Sequence, residues 1–364
     1  MTRLGEGARA RLRRYLPAPG GAKPTEWELL VLLGISFAVG IGLAGDVWTR
    51  LLDPFSAPAG VVGAWKVVQL AGMALVAVWL VVGVLRRGAA WVGSVLPVVV
   101  GSGLLLVALL VDHWWHGRFG PEVMLETLVS PPHLLSLTGV LLILATPIVV
   151  LWSLPARRLG LVSSLCVALP LVFGLQIVSL FTGFASPLAG GMTLTYGYVE
   201  PVVGESMVEY DQIRGLASVA WSAALFSAAL TIVLVRFRLV PGFVALTMVA
   251  VAGPTLAITG REILPLVVGF VVAGAVSEAV IALTGGPTLG RGAAVLNGAL
   301  MCAALWLVAF RVLDMDERLN WSTSLWSGSV VLATLVGAAA AGLIALAVPS
   351  RVGIDLSSSV PHPV

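Results

Sequence analysis

The chain of 364 residues contains few charged side chains, and this scarcity excludes most soluble classes of protein. Asp, Glu, Lys and Arg together make up 11% of the residues, whereas a soluble domain carries about 25%. Hydrophobic residues make up 59%, and the mean hydropathy is +1.02. The composition therefore predicts an integral membrane protein.

Cysteines and the common catalytic motifs are also scarce. The two cysteines, Cys166 and Cys302, lie inside apolar segments, which excludes a disulfide framework and a Cys-based metal knuckle. The chain has no Walker loop, dinucleotide-binding glycine pattern, zinc-protease motif or Gly-x-Ser-x-Gly elbow. ATP-driven transport by this chain alone is therefore not expected. The net charge is only +3, and the basic residues do not alternate with aromatic residues as they do on many nucleic-acid-binding surfaces. No nucleic-acid partner is therefore expected.

Long apolar segments, by contrast, are abundant. A helix that spans a membrane needs about 20 mostly apolar residues, and about ten such segments follow one another along the chain. We therefore predict an all-α fold, a polytopic transmembrane helix bundle of about ten spans. The predicted spans are residues 27–45, 61–85, 91–112, 133–153, 160–182, 216–236, 240–260, 263–283, 293–312 and 325–348.

Arginines fall in every second connection between the predicted spans. These connections share one side of the membrane with the N-terminal arm, which itself contains five arginines. Because Lys and Arg are enriched in cytoplasmic loops, both termini are predicted to be cytoplasmic. The arginines concerned are Arg86, Arg87, Arg157, Arg158, Arg236, Arg238, Arg291 and Arg351.

This topology divides the chain into three parts. A basic cytoplasmic arm, 1–26, precedes a transmembrane helical domain, 27–350, and a cytoplasmic tail, 351–364, follows it. Two outward loops, 113–132 and 184–215, are longer than simple hairpins, and loops of this length are often functional. The expected location is the plasma or inner membrane of a prokaryotic cell, as a multi-pass protein surrounded by membrane lipid.

Three of the four histidines lie close together at one outward edge of the predicted bundle. Residues 112–116 read Asp-His-Trp-Trp-His, and residues 130–133 read Ser-Pro-Pro-His. Ionisable groups are costly near lipid, so they tend to mark functional sites. Asp112 and His116 are four positions apart on one helix face, and His133 falls in the first turn of the next helix. We predict that these three residues bind a metal ion.

Other side chains near this site are candidates for further ligands or for hydrogen bonds to the ligands: His113, Asp46, Glu122 and Glu126. Trp115 is predicted to form a wall of the site. Carboxylate and imidazole ligands together suit copper, zinc or iron. The competing interpretation is structural, because interfacial tryptophans form aromatic belts and the histidines there could cap helix ends or bind water.

The motif resembles the metal motif in the C subunit of particulate methane and ammonia monooxygenases, the copper membrane monooxygenases. The resemblance covers residues 112–135, and the matching positions are Asp112, Trp115, His116, Pro131 and His133. It implies copper as the cofactor, dioxygen activation, and a small apolar substrate. It also implies electrons from a cupredoxin-like partner or from other membrane subunits. No catalytic residue beyond the ligands is assigned.

Glu278 lies well inside the eighth predicted span, where an ionisable residue is a candidate for a proton or ion path. A second hypothesis is therefore a metal-ion or proton-coupled transporter that uses the histidine cluster and Glu278. A third is a non-catalytic membrane scaffold subunit whose outward loops dock other subunits. The oligomeric state is left open, and a homo-oligomer is compatible with all three hypotheses.

Overall fold

The computed structural model describes residues 26–52, 59–120, 122, 128–152, 158–183, 185–187, 205–259, 263–284, 286, 288–319 and 321–348. These residues form α-helices and one 3₁₀ helix, Ala89–Val95, and no strand. The α-helices are α1 (Glu26–Leu52), α2 (Ala59–Arg87), α3 (Leu96–Phe119), α4 (Pro131–Trp152), α5 (Leu161–Phe181), α6 (Glu205–Leu234), α7 (Phe243–Thr259), α8 (Leu264–Thr284), α9 (Arg291–Met315) and α10 (Thr323–Ala347).

The prediction of an all-α polytopic membrane bundle is confirmed. Nine of the helices in the described residues are long and apolar enough to cross a membrane. The remaining helix, α7, has 17 residues and a shorter apolar stretch, Phe243–Gly253. At 1.5 Å per residue α7 extends about 26 Å, slightly less than the hydrocarbon core of a bilayer at about 30 Å.

Two helices extend into segments that were predicted as outward loops. Helix α3 continues to Phe119, seven residues past its predicted end at 112, and α6 begins at Glu205 rather than at 216. The reason is that a hydropathy pattern detects only the apolar part of a helix. Polar turns that continue the helix into water or headgroups do not carry that pattern. As a result, Asp112 lies inside α3, two turns before its end, and His116 falls in its last turn.

Five arginines gather at one end of the bundle, which we call the basic end: Arg87, Arg158, Arg236, Arg238 and Arg291. Three of them donate hydrogen bonds to carbonyl groups at or just beyond helix ends: Arg236 to Trp152, Arg238 to Gly286 and Arg291 to Ala345. Such carbonyls lack intrahelical donors, and positive charge also complements a helix C-terminus. The predicted alternation of basic connections is therefore visible as one arginine-rich end. Its assignment to the cytoplasm stays a prediction.

Gln176 joins α5 to α7 at a point where α7 cannot complete its own hydrogen bonds. Pro254 has no N–H group, so the carbonyl of Ala250, four residues earlier, loses its helical donor. The side-chain amide of Gln176 donates to that carbonyl at 2.9 Å and to the carbonyl of Val251 at 3.3 Å. Because an unpaired carbonyl in an apolar interior is costly, this contact supports α7 in the bundle.

Candidate metal centre at the ends of α3 and α4

Two glycines allow α3 and α4 to approach each other closely. A Cβ atom built on Gly101 would lie 2.5 Å from the carbonyl oxygen of Gly139. A Cβ atom on Gly139 would lie 2.8 Å from the carbonyl oxygen of Gly101. No larger residue fits at either position unless the helices separate, and close approach at small residues is typical of membrane helices. The pair therefore fixes how the ends of the two helices, away from the basic end, face each other.

Asp112 and His116 form a pair on α3, as their spacing predicts. The Nδ1 atom of His116 lies 2.9 Å from the backbone carbonyl oxygen of Asp112 and 3.3 Å from its carboxylate Oδ1. A carbonyl can only accept, so Nδ1 is the donor in this contact, and Nε2 is the ring atom left to bind a ligand. The side chains of His116 and Asp112 are 30% and 23% exposed. The pair is therefore accessible from outside the helix bundle.

His133 contacts a different carboxylate. Its Nδ1 atom lies 2.7 Å from Oγ of Ser130 and 3.0 Å from Oε2 of Glu122. Ser130 also accepts the N–H of Leu134 through its backbone carbonyl, which fixes the first turn of α4. Unlike the pair on α3, this cluster is buried, with side-chain exposures of 9% for His133 and 5% for Glu122. We call Glu122, Ser130 and His133 the buried cluster.

The carboxylate of Glu122 has no hydrogen-bond donor among the described residues. Both of its oxygens are inaccessible to solvent, and neither accepts a hydrogen bond. The 3.0 Å contact with His133 is close enough for an ion pair, but the ring N–H does not point at Oε2 as a donor must. A buried carboxylate without donors is strongly destabilising unless a cation or a proton accompanies it.

The structure thus divides the three predicted ligands between two groups. Within the part of the chain that it describes, no three His, Cys, Asp or Glu side chains meet as a metal site. His113 is exposed, and Asp46 is buried near the end of α1. Trp115 packs on Phe119, with ring centroids 4.4 Å apart. Glu126 lies outside the described residues.

Sequence reasoning understated two members of the buried cluster. From the sequence, Glu122 is one of several candidates for a further ligand, and Ser130 enters only as part of the segment Ser-Pro-Pro-His at residues 130–133. The spacing Ser130-x-x-His133 is a signal that could have identified the serine, because side chains three apart on a helix are neighbours. The role of Glu122 carried no such signal, since it depends on the path of the chain after α3.

Glu278 in α8 serves as the cap of α7. Its Oε1 atom accepts the backbone N–H groups of Val244 at 2.9 Å and Ala245 at 3.4 Å. These are the second and third residues of α7, whose first-turn N–H groups lack intrahelical acceptors. A carboxylate at a helix N-terminus also complements the helix dipole. The observed contacts are those of a structural group, and the predicted proton or ion path through Glu278 stays a prediction.

Replacing Glu278 separates the structural role from proton transfer. Glu278→Ala should lower the free energy of unfolding by about 1–2 kcal/mol, because it leaves two N–H groups without an acceptor. Glu278→Gln should cost less than about 0.5 kcal/mol, since an amide oxygen can accept both bonds. Unfolding of the detergent-solubilised protein measures both values. If Glu278→Gln leaves stability intact but abolishes proton uptake by proteoliposomes, the transporter hypothesis gains the support it now lacks.

No protein-family model, curated protein or solved structure matches this chain. The resemblance to copper membrane monooxygenases therefore stays a prediction from the motif at residues 112–135.

Proposed function

We propose that this multi-pass membrane protein binds a metal cation at the ends of α3 and α4 away from the basic end, on the outward side of the membrane. The observation that carries the proposal is the contact of buried His133 with the buried carboxylate of Glu122, which accepts no hydrogen bond within the part of the chain that the structure describes. Ionised groups are rarely buried unless they are paired or coordinate a metal. A cation at this position would neutralise the charge of the Glu122 carboxylate, and the imidazole of His133 would be one of its ligands.

The donors present suit a transition metal. His133 supplies an imidazole and Glu122 a carboxylate, with Nδ1 and Oε2 3.0 Å apart. Copper is the first metal to test because of the resemblance, and zinc and iron are the alternatives. Bound copper would supply redox chemistry toward dioxygen. The residues of this chain would bind the ion, orient the imidazoles and, through Trp115 and neighbouring apolar side chains, exclude water.

The metal content of the purified protein tests this proposal. We expect about one copper, zinc or iron ion per chain, and a fall below about a tenth of that in His133→Ala. His113→Ala is the matched control, because His113 is an exposed histidine of the neighbouring helix α3 and its loss should leave the metal content unchanged. Elemental analysis after removal of loosely bound metal gives the number of metal ions per chain. Wild-type protein without metal, and unable to bind any of the three ions when they are added, would contradict the proposal.

A further inference from the structure

We infer that the buried cluster is itself a divalent-cation site, in which Glu122, and not Asp112, supplies the negative charge. This inference rests on the proposed function and specifies its ligands. It replaces the predicted set of Asp112, His116 and His133 by a set centred on the first turn of α4. The Asp112–His116 pair then lies outside the cation's own ligands.

The two carboxylates differ in how their charge is accommodated. Asp112 is 23% exposed and contacts His116 of its own helix, so water and a neighbouring ring both stabilise it. Glu122 is 5% exposed and accepts no hydrogen bond from any described residue. No Lys or Arg of the described segments forms an ion pair with it. Since burying a charge is far more costly than exposing one, Glu122 has the greater need of a cation.

The distances within the cluster fit ligands that share an ion. Two atoms that each lie about 2.0–2.1 Å from one ion, at angles between 90° and 109°, are about 2.9–3.4 Å apart. The separation of 3.0 Å between Oε2 of Glu122 and Nδ1 of His133 falls in this range. The hydroxyl of Ser130, 2.7 Å from the same nitrogen, can donate to a bound carboxylate or contact the ion. Carboxylate, imidazole and hydroxyl groups together suit zinc, copper or manganese.

A shared proton is the competing occupant. A proton between Glu122 and His133 would also neutralise the buried carboxylate, and it would require no metal. The angle of the contact is unfavourable for direct sharing, because neither oxygen of Glu122 accepts the ring N–H. The two accounts make opposite predictions for a variant that keeps the shape of Glu122 but removes its charge.

The experiment compares Glu122→Gln with Asp112→Asn, two isosteric changes that each remove one carboxylate. Full-length protein in lipid nanodiscs is stripped with a chelator and titrated separately with Zn²⁺, Cu²⁺ and Mn²⁺. We expect Glu122→Gln to weaken binding by about 100-fold or more, and Asp112→Asn by less than about 10-fold. Ser130→Ala is a second variant, with an expected loss of about 10-fold. Thermal unfolding without metal verifies that each variant folds, and Glu122→Gln should be at least as stable as the wild type.

Each outcome has one meaning. Wild-type affinity in Glu122→Gln, together with loss in Asp112→Asn, overturns this inference but leaves the proposed function standing. Equal losses in both variants also overturn it, because the two carboxylates would then act on one ion. A wild-type protein that binds none of these three ions, and no iron either, defeats the proposed function itself and favours the shared proton.

Discussion

Gly139→Val should lower the free energy of unfolding by about 3 kcal/mol and should also weaken metal binding. The Cβ of any larger residue would lie 2.8 Å from the carbonyl oxygen of Gly101 and 3.0 Å from Cγ of Leu105. Backbone atoms cannot move aside as a flexible side chain can, so α3 and α4 must separate. Overpacking of this kind typically costs about 1–3 kcal/mol, and valine adds two further methyl groups.

The loss of metal binding follows from the same displacement. Glu122 comes three residues after α3, whereas Ser130 and His133 belong to the start of α4. Any separation of the two helices therefore changes the 3.0 Å contact between Glu122 and His133. Unfolding in mixed detergent and metal titration measure the two effects on the same preparation.

Gly103→Ala is the matched control for this prediction. Gly103 lies in α3 close to Gly101, but a Cβ there would meet no atom within 4 Å. Alanine is also a better helix former than glycine, so stability should stay the same or rise by up to about 1 kcal/mol. If Gly139→Val matched Gly103→Ala in stability, the close packing of α3 on α4 would be wrong.

Gly337→Val should destabilise the other half of the bundle by a similar amount, about 3 kcal/mol. Gly337 lies in α10 where this helix meets α6 and α9. A Cβ there would approach the carbonyl oxygen of Gly298 and Sγ of Cys302, both at 2.6 Å. The hydroxyl of Ser227 in α6 also donates to the carbonyl of Gly337 at 2.6 Å. Displacing α10 would therefore break a buried hydrogen bond, worth about 1 kcal/mol, as well as the packing.

This second variant should not affect metal binding directly, because α6, α9 and α10 pack mainly on one another and on α8, not on α3 or α4. Gly328→Ala, in the same helix, is the control, since its Cβ would meet no atom within 4 Å. The test compares the unfolding midpoints of Gly337→Val and Gly328→Ala. Equal midpoints would mean that α10 does not pack against α9 through Gly337.

The sequence predicted the membrane-spanning helices well because their signal is local. About 20 consecutive apolar residues suffice to identify a span, and the spacing of Asp112 and His116 suffices to place them together on one face. The helix ends were less predictable. The polar turns that continue α3 to Phe119 and start α6 at Glu205 resemble loop sequence in hydropathy.

The side-chain contacts between helices could not be predicted from the sequence. Whether Glu278 relays protons or caps a helix depends on which helix start lies beside it, and that start belongs to α7. Likewise, the pairing of His133 with Glu122 depends on the path of the chain between α3 and α4. Polarity marked both carboxylates as unusual, but it could not identify their partners.

X-ray absorption spectroscopy of the metal-loaded protein tests the central claim most directly, because it counts the imidazoles on the ion. With copper or zinc bound, we predict nitrogen and oxygen neighbours at about 2 Å and the multiple-scattering signal of histidine, which His133→Ala should remove. A first shell of water oxygens alone, or a histidine signal that is unchanged in His133→Ala, would contradict the assignment of the site to α3 and α4.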